Sequence, residues 1–147
     1  MALVAVSRAI MPILIIEFLV GMYLNLFSAD PAGSKSVNPF VQIFTGGQLL
    51  LAVHVIIGFL LLFLSLLLLL LSIAVRHGRT ILLAVIGLGA MLLAFWAGIA
   101  FVLGGYSNDQ LSYGMAVGFL LSFVFYGALA GTATSALASQ EGVNPNN

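Results

Sequence analysis

The 147-residue chain carries four basic and four acidic residues, so it is 5% charged with zero formal net charge, while 63% of it is hydrophobic. Soluble domains hold roughly 25% charged and 45–50% apolar residues, and the mean hydropathy here is +1.25. Such a composition excludes a water-soluble globular fold, a disordered chain and a nucleic-acid binder, and it makes lipid the solvent. The absence of cysteine removes disulfides, thiolate metal sites, iron–sulfur clusters and cysteine nucleophiles.

A helix of about 20 apolar residues, rising about 1.5 Å per residue, crosses a hydrocarbon core of about 30 Å. Four runs reach this length, at about 9–27, 48–75, 81–103 and 111–137. None shows the apolar–polar alternation of a membrane strand. The expected fold is therefore all-α: an integral membrane four-helix bundle forming a single domain over 1–138, with a polar C-terminal tail at 139–147.

Taken in chain order, the first run follows Arg8 and carries Glu17 near its middle. It is too long for a signal peptide, and Phe27 stands where a small residue should precede a cut after Ala29, so it is read as a span. A long connection follows at 28–47, marked by Pro31, Gly33, Pro39, Gly46 and Gly47. The second run holds His54 and a leucine-rich stretch, and it is longer than a bilayer needs. Arg76, His77, Gly78 and Arg79 form a tight basic turn before the third run, and 104–110 forms another short turn before the fourth. Arg8, Arg76 and Arg79 fall on one side of this arrangement and Lys35 on the other. The distribution of basic residues places both termini in the cytoplasm of a multi-pass cell-membrane protein.

Of the formal charges, only Glu17 lies inside a span. An acidic side chain there costs roughly 2.5–3.5 kcal/mol on insertion scales, so it should face protein or a wet cavity. At helical spacing its neighbours are Gly21 and Asn25. On the second run, His54, Gly58, Ser65 and Ser72 share a narrow stripe that should also face inward. Glu17 and His54 differ in depth by about 6 Å, a gap that two extended side chains close. Ser122 falls near the depth of Glu17 and Trp96 near that of His54, with Asn25, Gln48 and Tyr113 shallower. The expected site is therefore a polar pocket of Glu17, His54, Asn25, Trp96 and Ser122, linked to a proton or a small ligand. A plain interhelical pair fixing the register is the competing reading of Glu17 and His54. Small residues at Gly114, Gly118 and Ser122, at Gly127 and Gly131, and at Ala90, Ala94 and Gly98 should let helices approach closely within the bundle.

Enzyme chemistry finds little support. No metal-ligand cluster, catalytic triad or phosphate loop can be assembled from these residues. No inverted repeat marks a transporter. A b-type haem is the alternative cofactor. His54 and His77 cannot share one haem, since 23 positions of continuous helix separate them by about 35 Å. A haem would need His54 with Met22 or Met115 as axial ligands, in an electron-transfer or quinone-linked subunit. Expected partners are the lipid bilayer and either further copies of the chain or a larger membrane complex.

The patterns Glu17-x-x-x-Gly21-Met22-x-x-Asn25, His54-x-x-x-Gly58 and Ser112-x-Gly114-Met115-Ala116-x-Gly118 resemble a broad group of small, uncharacterised prokaryotic four-span membrane proteins. That resemblance implies the architecture and no activity. The chain is more loosely similar to four-helix membrane cytochromes b, which implies haem, although a second intramembrane histidine is missing.

Overall fold

The computed structural model of the protein describes residues 1–27, 38–45, 49–106 and 108–142. Its order is α1 (Ala2–Phe27), α2 (Pro39–Thr45), α3 (Leu49–Val75), α4 (Gly78–Leu103) and α5 (Asp109–Gly142). Among the described residues, four helices (α1, α3, α4 and the 109–135 part of α5) are long and apolar enough to cross a membrane. Lipid offers no partner to backbone N–H and C=O groups, so such segments close their hydrogen bonds internally as helices. Both α1 and α5 extend beyond the apolar runs, to Ala2 and Gly142 respectively.

The connection between the first two spans contains an element that apolar run length does not disclose. Helix α2 opens on Pro39, which suits the first helical position because its missing N–H would be unbonded there anyway. It packs against α3 and α4 and buries Ile43.

The four long helices form a closed ring in which α1 touches α3 and α5, and α4 touches α3 and α5. The neighbours α1 and α5 run antiparallel: Arg8 reaches Thr134 at one end, and Asn25 meets Ser112 at the other. Along α1 the buried positions are Leu3, Ser7, Ile10, Leu14 and Glu17. Along α3 they are Leu61, Ser65, Leu68 and Ser72. Both series alternate steps of four and three, the spacing of a knobs-into-holes seam. Continued by the same steps, the seam reaches Gly21 on α1, and Gly58 and His54 on α3. The inward stripe expected of the second span is therefore observed.

Several hydroxyls along the spans are bonded within their own helices, whereas the buried Ser72 hydroxyl has no bonded partner. Ser65 donates to the Leu61 carbonyl at 2.7 Å, Thr134 to Ala130 at 2.8 Å and Thr132 to Ala128 at 2.9 Å. Such back-bonding lets small polar residues sit in an apolar interior without an external partner. The opposite seam, α4 against α5, is built on small residues. A Cβ placed on Gly118 would lie 2.7 Å from the Ala90 carbonyl oxygen and 2.8 Å from the Ala94 nitrogen, and one on Gly114 would lie 3.6 Å from the Ala97 Cβ. The rows at Gly114–Gly118 and Ala90–Ala94 are thus used inside the chain, where they let two backbones touch, whereas Gly131 is exposed with nothing packed on it and Gly127 faces the Met11 side chain. Tyr126 lies fully buried over Gly87, where a Cβ would come within 2.5 Å of the ring.

Candidate functional site

Glu17 and His54 meet across the α1–α3 seam, with His54 Nδ1 2.9 Å from Glu17 Oε1. Seam positions on both helices bring them to the same level, and the antiparallel packing closes the offset counted from the sequence. Two glycines make the room. A Cβ on Gly21 would lie 3.0 Å from His54 Cε1, and one on Gly58 would lie 3.4 Å from Glu17 Oε1. Each glycine sits one helical turn beyond the titratable residue of its own helix and faces that of the other helix.

The contact is one of proximity more than alignment. Glu17 is only 6% exposed. Its Oε2 and the Nδ1 of His54 are both buried without a completed hydrogen bond. The His54 side chain is 27% exposed although its Nδ1 is buried. The ring packs on Gly21 through Cε1 and Nε2. The result is a buried acid beside a partly exposed imidazole whose ring rests on Gly21.

The other candidate residues are distributed elsewhere. Asn25 Oδ1 accepts a hydrogen bond from Ser112 at 3.1 Å, linking α1 to α5. Ser122 is buried and donates to the carbonyls of Gly118 at 2.8 Å and Gly87 at 3.3 Å, so its hydroxyl is committed within α4–α5. Trp96 is 64% exposed on the outside of α4, where its neighbour Ala97 takes the inward position. Gln48 lies outside the described residues. Thus the structure brings together Glu17 and His54, framed by Gly21 and Gly58, while Asn25, Ser122 and Trp96 each serve another contact or face.

The residues named for haem lie as follows. The Met115 sulfur lies where a Cβ on Gly98 would be 3.3 Å away, between α4 and α5, and Met22 is exposed on α1. A largely apolar cleft of about 380 Å³ runs between α1 and α5, with Phe18 stacked on Phe119 at 5.3 Å in its wall. None of His54, Met22 and Met115 lines that cleft. Among the described residues there is no group of three or more histidine or acidic side chains placed to hold a metal ion.

Sequence reasoning missed Tyr126. Its hydroxyl lies beside Ser65 in the bundle interior, buried and without a completed hydrogen bond. The available signal was its seam spacing with Ser122 and Leu129.

No family model matches the chain, and no curated protein or solved structure matches it either.

Proposed function

We propose that this chain is a non-enzymatic integral membrane protein whose Glu17–His54 pair is a proton- or small-ligand-linked site. The observation that carries this reading is the 2.9 Å approach of the two side chains, with a carboxylate oxygen left buried and unpartnered. A pair retained only to fix helix register gains most when every polar atom is bonded, since a half-satisfied buried network is costly. Here Glu17 Oε2 and His54 Nδ1 are both without a completed bond, and the His54 side chain is partly exposed. Intramembrane ionisable groups in that condition are suited to exchanging a proton or meeting a ligand.

The test is infrared spectroscopy of the purified protein across a pH titration. A carboxyl band that responds to pH, vanishes in Glu17→Gln and is displaced in His54→Ala is the expected result. A band that does not respond between pH 5 and pH 9 would remove the proton-linked reading. A Soret band lost in His54→Ala would replace it with the haem-bearing one.

In this proposal Arg8, Arg76 and Arg79 mark the cytoplasmic end, so both termini are cytoplasmic. The chain lacks cysteine, so Arg79→Cys provides a clean probe. It should be labelled by an impermeant reagent only after the membrane is opened.

A further inference from the structure

The cleft between α1 and α5 lies away from the Glu17–His54 pair, and its dimensions bear on what it takes. The two helices are tied at both ends, by Arg8 to Thr134 and by Ser112 to Asn25, and the cleft lies between these links. Its α1 wall includes Ile15 and Leu19, and its α5 wall runs from Tyr113 through Ala116 to Phe123. The Tyr113 hydroxyl is the only polar side-chain group in the lining.

Depth gives the length of an occupant. The membrane-spanning part of α5 has 27 residues, hence about 40 Å against a hydrocarbon core of about 30 Å. With the excess shared between its ends, Tyr113 falls at the hydrocarbon boundary. Its ring is 73% exposed, as suits an amphipathic side chain at the headgroup level. Phe123 stands ten positions further along α5, about 15 Å deeper, which is the bilayer midplane. The cleft therefore runs the depth of one leaflet.

Width narrows the choice. A volume of about 380 Å³ over a length of about 15 Å leaves a cross-section of about 25 Å². A helix with its side chains is about 10–12 Å across, so a helix of a second copy would lie over this cleft without entering it. A single hydrocarbon chain enters it. Water finds no set of polar partners there, and walls facing an empty space lose their dispersion contacts. Lipid tails are as apolar as these walls.

We propose that the α1–α5 cleft holds one acyl chain of a glycerophospholipid from the leaflet on the Asn25–Ser112 side, with the glycerol at the level of Tyr113 and the chain end at Phe123. The headgroup stays in the interface, so the site selects by chain length and not by charge.

The test is native mass spectrometry of the full chain, purified in a mild detergent and washed until freely exchanging lipid is gone. The expected result is one phospholipid retained per chain. Ala116→Phe places a ring in the cleft and should lower the lipid-bound fraction roughly tenfold. Ile15→Phe fills it from the opposite wall, should act alike, and keeps the test open if Ala116→Phe fails to fold. Leu92→Phe, on the exposed side of α4, should leave the fraction unchanged. On relipidation, dipalmitoyl phosphatidylcholine should be retained about fivefold better than the didecanoyl lipid, and as well as dipalmitoyl phosphatidylglycerol. A lipid-free monomer, retention equal in all variants, or a free fatty acid alone overturns the proposal. A lipid-free dimer that Ala116→Phe dissociates also overturns it, and makes the cleft a contact between copies. Lipid retention reads the α1–α5 seam, so it stands or falls apart from the infrared titration of Glu17.

Discussion

Along the α4–α5 seam, a Cβ on Gly118 would run into backbone: the Ala90 carbonyl oxygen at 2.7 Å and the Ala94 nitrogen at 2.8 Å. Along the α1–α3 seam, a Cβ on Gly21 or Gly58 would meet side chains instead, the His54 ring at 3.0 Å and the Glu17 carboxyl at 3.4 Å. The same residue type does different work in the two places. In one seam its small size is consumed by two main chains in contact, which gives dispersion energy and fixed geometry. In the other it holds space for two ionisable groups that can rotate. The first seam is the rigid half of the bundle, and the second is the half with chemical freedom.

The largest effect should come from forcing the rigid seam apart. Gly118→Val pushes Cβ and its methyls into backbone that cannot turn aside, and it should lower the unfolding free energy by about 3 kcal/mol. Denaturation in mixed micelles reads this directly, and a loss below about 1 kcal/mol would mean that α4 and α5 separate easily. In the other seam, Glu17→Ala strands the imidazole. Removing one partner of a buried pair costs roughly 3–5 kcal/mol, reduced here to about 2 kcal/mol because His54 is partly exposed. The Glu17→Ala/His54→Ala cycle should then show a coupling of about 1 kcal/mol, since neighbouring residues are not additive. Additivity within about 0.3 kcal/mol would mean that the two side chains do not interact. Smallest of all, Trp96→Leu should change stability by less than about 0.5 kcal/mol, as befits an exposed residue. It should also leave the Glu17 infrared band in place. A shifted band would bring Trp96 back into the site.

How much of this was legible beforehand depends on which coordinate a residue's role requires. Depth is readable, because a helix advances at a fixed rise per residue. Counting along the runs therefore set Glu17 and His54 within reach, and the polar stripe through Gly58, Ser65 and Ser72 fixed which face of α3 turns inward. Azimuth on α4 was harder to read. Trp96 shares its approximate depth with His54, yet it stands about 100° around the helix from the inward Ala97. Ser122 illustrates a different loss. It has the right depth and burial, but a serine hydroxyl in a helix finds its own carbonyl one turn back before it reaches another helix. Asn25 found a partner on α5 where the sequence suggested a role beside Glu17. Helix α2 went unseen because a seven-residue segment is too short to show a helical period.

By itself the sequence determined four runs long and apolar enough to cross a membrane, and the presence of an acid and an imidazole within them. These are properties of composition and one-dimensional spacing, and transfer energies act on them residue by residue. Only the tertiary structure decided that α1 packs on α3 in a register that seats Glu17 against His54, that the His54 ring rests on Gly21, and that Ser122 and Trp96 face elsewhere. Those outcomes depend on how each helix is rotated about its axis, and rotation is set by the joint packing of all four helices.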